Sequence, residues 1–404
     1  MKAFKLLTLL SLAYSSSLVA SEPLEEYISS NKKEQFNYDY EKNSAESSKL
    51  RDSWISPINF TYQYSANNKY DQNQKSQSAS VALDQTIFQS GGIYYAIKFA
   101  QANEKYAKYS TDIAKRKLVK DTIALLMQIK QLDLKIQKQK LQIENSKINL
   151  ELKKEQYLSG QLDSGFLDSA IIERNSVIQV LYDLETSKER LVSKFEALSD
   201  ANYAKADVPT LKVLSKEEFL EHNLVVKTLQ SDIERNSYQD SMTVAKYLPR
   251  VSVQAGYTWN KLENQSFSAS FAVSDEIKYY NYGLRVNMPL DINSFVDSES
   301  SKISYLKSKI VVDDKKRELE ALYEQVMQNI ANLEKKRTLS IDNRDLYTKL
   351  LDDTKKLFDS GYKTGFDIDL LENSLEMQKI DMALYELDKQ LELLTLYEMY
   401  KNEI

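Results

Sequence analysis

Side chains able to do covalent or metal chemistry are scarce in this chain. Cysteine is absent, which excludes thiol catalysis and structural disulfides. His222 is the only histidine; it sits in the polar run 216–223 and is expected at the surface. One imidazole and no thiolate leave a metal site to carboxylates, and none cluster with ligand spacing. There is no phosphate-binding glycine loop and no Ser–His–Asp or Cys–His set. An enzyme is the least favoured reading, and no cofactor is expected. Carboxylate pairs such as Asp352 and Asp353 read as solvated helix faces.

What does recur is a short segment of glycines and aspartates. The first copy reads Tyr157-Leu-Ser-Gly160-Gln-Leu-Asp-Ser-Gly165-Phe-Leu-Asp168, and the second Phe358-Asp-Ser-Gly361-Tyr-Lys-Thr-Gly365-Phe-Asp-Ile-Asp369. Each has an aromatic, a Ser-Gly pair beginning two positions on, and an aspartate eight positions after that glycine. The physical reading is a turn between antiparallel helices. Gly160 and Gly361 end one helix in a left-handed conformation. Ser164 or Thr364, with the aspartate that follows, caps the next. The copies lie 201 residues apart, so the chain reads as a tandem duplication.

Two very long helices must position these turns. Residues 93–159 and 290–360 contain neither glycine nor proline and are rich in Lys, Glu, Gln, Leu and Ile. Each stretch of about seventy residues extends about 100 Å as a helix. Ile129, Ile136, Ile143, Leu150 and Tyr157 repeat every seventh residue, with Leu125 and Leu132 at the alternate seam position. Leu384, Leu387, Leu391 and Leu394 step by three, four and three. Such spacing imposes side-by-side helix packing.

Before each long helix the period changes to two. Apolar and polar residues alternate over 57–64, 77–84, 251–260 and 280–289, with 65–76 and 261–278 as polar loops. Strands of about ten residues suit a tilted bilayer crossing, with Tyr and Trp near their ends. A soluble β-sandwich face shows the same alternation, and a coiled-coil scaffold or surface adhesin has the same helices. A rod, however, has no use for two pairs of amphipathic strands.

The N-terminus reads as a secretory signal peptide over residues 1–20. Lys2 and Lys5 precede a short apolar stretch, and the small residues Ala20 and Ser21 are plausible cleavage positions. After it no apolar run is long enough for a transmembrane helix, and without cysteine there is no lipid anchor, so membrane attachment must come from the fold. Formal net charge is −5, without a basic stripe, which argues against a nucleic-acid partner. Four strands cannot close a membrane barrel, whose lower limit is about eight. Open edges in lipid leave unpaired backbone groups. If the strands are in a membrane, several chains must share one barrel, and three copies supply twelve strands.

In this order of elements the sequence resembles the outer-membrane efflux protein (TolC-like) family over essentially the whole mature chain. Leu83-Asp-Gln-Thr-Ile-Phe88-Gln-Ser-Gly91-Gly92 and Leu284-Arg-Val-Asn-Met-Pro289-Leu290 resemble the family's exits from strand to tube. Tyr247-Leu248-Pro249 precedes the third strand in the family's manner. The resemblance implies a mainly α fold with a small β part: a homotrimer whose twelve-stranded outer-membrane β-barrel, four strands per chain, continues as a periplasmic α-helical coiled-coil tunnel. Gly256 and Gly283, on polar strand faces, would then line the lumen.

The implied divisions are the signal peptide (1–20), an N-terminal periplasmic helix (21–56), strands one and two (57–90) and a first helical hairpin with its tip near 158–168 (91–200). An equatorial connector (201–248), strands three and four (249–290) and the second hairpin with its tip near 359–369 (291–404) follow. Implied partners are a periplasmic adaptor, an inner-membrane transporter and outer-membrane lipid. The favoured role is the exit duct of a tripartite efflux pump; the alternative within the family is type I protein secretion. The adaptor would meet Ser159, Gly160, Gln161, Ser360, Gly361 and Tyr362, although the family often carries an aliphatic residue where Ser159 and Ser360 stand. Asp168, Asp367 and Asp369 are expected to form acidic rings that narrow the tunnel tip and favour cations. The family pattern also places an aspartate where Leu370 stands here. Helix capping is an equally weighted role for these aspartates. Gly165 and Gly365 lie near enough to permit movement there.

Overall fold

The computed structural model describes residues 23–68, 73–265 and 273–401. The expected signal peptide lies outside the described residues. A short 3-10 turn at Pro23–Tyr27 leads to α1 (Ser30–Arg51), β1 (Asn59–Asn67), β2 (Asn73–Phe88), α2 (Gly92–Leu158) and α3 (Ser164–Glu196). Then come α4 (Lys216–Glu221), α5 (Leu224–Lys246), β3 (Arg250–Gln265), β4 (Val273–Asn287), α6 (Ser294–Asp359) and α7 (Gly365–Tyr397). The glycine- and proline-free stretches are helices of 67 and 66 residues. Among the described residues no helix is long and apolar enough to cross a membrane.

The described chain forms two compact units. One takes the described part of Met1–Gln35 with Lys115–Val213 and Gln325–Glu398. In it, α2 lies between α3 and α7, and α7 between α2 and α6. The α2–α7 contact is an antiparallel ladder on heptad spacing. Gln131 Nε2 donates to Asp388 Oδ1 at 2.6 Å, Lys138 Nζ meets Asp381 Oδ1 at 2.6 Å, and Asn373 Nδ2 donates to Asn145 Oδ1 at 2.7 Å. Lys188 pairs with Asp133 at 2.6 Å between α3 and α2, and Lys389 with Glu334 at 2.6 Å between α7 and α6. Beneath these polar rungs Ile129, Ile136, Ile143, Leu384 and Leu394 are buried, whereas Tyr157, at the end of the same seam, is exposed. Phe195 is fully buried against Leu126 and Ile129, with Tyr27, Leu191 and Val208 around them.

The second unit holds Phe36–Ala114, Leu214–Glu324 and the described end of the chain. Tyr40, Asn43 and Ser47 of α1 bond Asp112, Thr111 and the Ala100 carbonyl of α2, again at three- and four-residue spacing. Gly92 sits where α2 meets α5: a Cβ there would lie 3.3 Å from that of Ala245. Ser301 of α6 donates to Asp240 of α5 at 2.6 Å. His222 is not the plain surface residue expected from its polar neighbours. The end of the chain returns over it: Lys401 N donates to the His222 carbonyl at 3.1 Å, and Tyr400 packs edge-on to the imidazole. That contact is non-local, so the sequence around His222 does not signal it.

Truncating the buried Phe195 side chain should show where stability resides. Phe195→Ala is expected to cost about 3–5 kcal/mol, read as a fall of several degrees in the melting of the helical circular-dichroism signal. An unchanged melting curve would contradict this placement of the core.

Candidate functional site

The sheet is antiparallel, in the order β1-β2-β3-β4, so β1 and β4 are its edges. Residues directly opposite share a face, and the register sorts every strand the same way. One face carries Phe60, Val81, Tyr257 and Tyr280 in one row and Tyr62, Ala79, Trp259 and Lys278 in the next. Toward the helices it continues through Leu83, Ala255 and Tyr282, then Val253 and Leu284. The other face carries Thr61, Ser80, Thr258 and Tyr279 in one row and Ser78, Asn260 and Ile277 in the next, then Gly256 with Asn281 and Gln254 with Gly283; these rows are mostly polar, with the two β4 side chains Tyr279 and Ile277 as exceptions.

Among the described residues nothing covers the apolar face. Phe60, Tyr280, Tyr282, Leu284 and Val286 are each more than 70% exposed, far beyond what a soluble sheet leaves in water. From Val251 to Trp259 the band runs roughly 27 Å at about 3.4 Å per residue. It ends in a polar rim at Trp259, whose indole N–H donates to Glu276 at 2.8 Å, and Lys278, 2.7 Å from the same carboxylate. The strands extend beyond the expected bounds into both polar loops, as the Ser65–Ser76 hydroxyl contact at 3.0 Å illustrates. Past the band polar residues occupy most positions, with Leu262 and Ile277 among the apolar exceptions, so period-two alternation fades while backbone pairing continues. A Cβ at Gly256 would come 2.6 Å from Asn281 Oδ1, a contact the Asn281 side chain can relieve by turning; Gly283 has open space around it.

The second feature is the pair of turns in the four-helix unit. Gly160 has φ +74° and Gly361 φ +77°, with nothing within 4 Å of a hypothetical Cβ, so backbone conformation alone requires glycine. Gln161 N donates to the Gln156 carbonyl at 2.8 Å and Tyr362 N to the Leu357 carbonyl at 2.9 Å. Both turns are therefore the same Schellman stop. Ser159 and Ser360 bond back to the Gln156 and Lys356 carbonyls, both at 3.0 Å. Gly160, Gln161, Gly361 and Tyr362 are exposed, Tyr362 the most at 80%.

The helix starts after the turns differ. Thr364 caps α7 in a full capping box with Asp367, as expected. In the first half Asp163, not Ser164, caps α3, its Oδ1 accepting from Gly165 N at 2.8 Å. Asp163 is the residue with extended backbone (ψ 170°), the conformation an N-cap needs. Gly165 and Gly365 lie in the first turns of α3 and α7 without positive φ, and nothing in the structure explains Gly365. Asp367 is committed locally: its carboxylate accepts from Thr364 N and Oγ1, both at 2.9 Å, and from Lys363 Nζ at 3.2 Å. Asp168 and Asp369 are exposed and make no hydrogen bond or ion pair among the described residues. Asp352 and Asp353 share Lys356 on an exposed face.

The Thr364 backbone N–H, then the Thr364 hydroxyl and Lys363, hold the Asp367 carboxyl below the ordinary aspartate value of 3.8. A carboxyl depressed in the folded state stabilises it above the unfolded value, and that support is lost as pH falls through the folded value. Amide exchange at the start of α7, taken relative to the intrinsic rate at each pH, should therefore be slow at neutral pH and quicken below about pH 4. Thr364→Ala, which costs about 1 kcal/mol, should quicken it at neutral pH. Exchange indifferent to both would contradict the cap.

No family model and no curated protein sequence matches the chain. Solved structures do. The outer membrane protein VceC of Vibrio cholerae superimposes with a TM-score of 0.71 at 14% identity, over 93% of this chain and 95% of that one. The Campylobacter jejuni CmeC outer membrane channel gives 0.69 at 12%, over 94% and 86%. CusC, described through its folding and transmembrane channel formation, gives 0.67 at 11%, over 94% and 91%. At such identities the likeness is one of fold, and it extends over almost the whole chain: a mainly helical protein with one four-stranded antiparallel sheet, built as these channel proteins are built.

Proposed function

We propose that this chain is one protomer of an outer-membrane exit duct of the TolC-like kind. Three copies close a twelve-stranded barrel, and their helices continue it as a periplasmic tunnel. The observation that carries this reading is the sheet itself: a bare apolar face about one bilayer core tall, a mostly polar opposite face, and two open edges. In hydrocarbon the edge N–H and C=O groups must be paired, and only neighbouring copies can pair β4 of one chain with β1 of the next. The outer helices of the four-helix unit support the same conclusion. Leu339, Leu346, Leu350 and Leu357 of α6, and Ile172 and Val180 of α3, are exposed apolar positions on otherwise packed helices.

The duct is passive: it conducts small molecules handed over by an inner-membrane transporter through a periplasmic adaptor. The adaptor docks on the exposed turns at Ser159, Gly160, Gln161, Ser360, Gly361 and Tyr362. Asp168 and Asp369 supply the acidic constriction at the tip, with Asp367 holding the cap that aims Asp369. The likeness of fold to CmeC, named an outer membrane channel, supports this assignment.

Expressed with its signal sequence in a Gram-negative host, the protein should fractionate with outer membranes as a heat-modifiable oligomer. A charge on the lipid face costs about 2–4 kcal/mol at the bilayer midplane, so Tyr282→Lys with Leu284→Lys should abolish assembly there. Recovery of the unaltered protein as a soluble single copy would overturn the reading. In planar bilayers, Asp168→Asn with Asp369→Asn should weaken block by divalent cations. Unchanged block in an otherwise normal channel would remove the constriction role.

A further inference from the structure

The polar face of the sheet carries no charged residue from the Gly256–Asn281 row to the Asn260–Ile277 row, has Asp275 opposite Leu262 beyond that, and carries a charged group at the end nearest the helices. Ser, Thr, Asn and Gln dominate β1 to β4 until the last rows before the helices, where Asp84, Arg250 and Arg285 stand. The Asp84 carboxylate accepts from Gln254 Nε2 at 2.8 Å and lies 3.4 Å from Arg285 Nη1. Ser252 and Arg250 also face it. Arg250, the first residue of β3, lies beside the side-chain amide of Asn287, the last of β4, and with that amide turned to present its oxygen the guanidinium donates to it at 3.3 Å. All three charged side chains are exposed. Asp297, just beyond the strand end, is engaged by Tyr247 and by Lys246 at 3.8 Å.

One carboxylate thus faces two guanidiniums, leaving one net positive charge per chain on the described polar face at this level. In a barrel closed by copies of this chain, the strand meeting β4 is β1, whose residues Asn59–Asn67 include no charged side chain. No choice of register across that seam can neutralise Arg285 or Arg250. We propose that Arg250 and Arg285 form a cationic belt where the barrel meets the tunnel, and that it favours anionic solutes at that level, in series with the acidic constriction at the tip. This rests on the channel reading. Rings of arginine inside a low-dielectric wall favour anions, and the field of such a ring acts over about a Debye length, roughly 10 Å at 0.1 M salt.

The test is the reversal potential of the full chain in planar bilayers under a potassium chloride gradient at low ionic strength. Neutralising the belt with Arg250→Gln and Arg285→Gln should lower the chloride-to-potassium permeability ratio about threefold, the size of a potential change near one kT. Arg250→Lys with Arg285→Lys should keep the ratio, and Asp84→Asn should raise it. Channels whose ratio is unmoved by both the glutamine pair and Asp84→Asn overturn the belt. If the glutamine pair fails to assemble, Asp84→Asn alone decides: a rise supports the belt and no change overturns it. An unaltered chain that gives no conductance overturns the channel reading instead.

Discussion

The structure depends on the backbone hydrogen bonds that its four-stranded sheet does not make. Each edge strand leaves alternate N–H and C=O groups facing outward, and β1 and β4 are both edges. In water these groups bond solvent and the sheet could stand alone. The apolar face, with Phe60, Tyr280, Tyr282, Leu284 and Val286 bare, disfavours water. In hydrocarbon the face is satisfied but the edges are not, and each unsatisfied group costs several kcal/mol. Only a closed ring of strands meets both demands, and in the proposed assembly copies of the four-stranded chain would complete it.

The helices answer a related constraint. Unit by unit, α2 lies between two neighbours, joined to them by polar rungs at seven-residue intervals over a buried aliphatic seam. The two Schellman turns repeat the same backbone solution in both halves, with glycine at positive φ and the following N–H returned to the helix. The outer helices keep exposed leucines and isoleucines. Such a layer has bare flanks as the sheet has bare edges, and a second copy of the chain suits both.

Much of this was legible in the sequence because it is periodic. Seven-residue spacing marked the helices, two-residue spacing the strands, and the Ser-Gly pairs the turns, which hold the φ values that glycine permits. Legibility failed where periodicity ends or contacts are non-local. The outer parts of β2 and β3 are polar on both faces apart from Leu262, so backbone pairing rather than alternation reveals them. Asp163 rather than Ser164 caps α3 because cap choice turns on one ψ angle. His222 is covered by Tyr400, nearly two hundred residues away. Of the tip aspartates, the sequence did not separate Asp367, spent in a capping box, from Asp168 and Asp369, which are not. The charged rows at Asp84, Arg250 and Arg285 come together only through strand register.

The central claim is that β4 of one chain pairs with β1 of another. The chain has no cysteine of its own, so introduced pairs report without background. With one cysteine fixed at Tyr62 and a second walked along Val273–Asn287, opposed strands bring Cα atoms within disulfide reach at a few positions. Oxidation in native outer membranes should then give intermolecular products ending at three chains, with a maximum at one register and its neighbours. Absence of any intermolecular product along the whole of β4 would contradict the shared barrel.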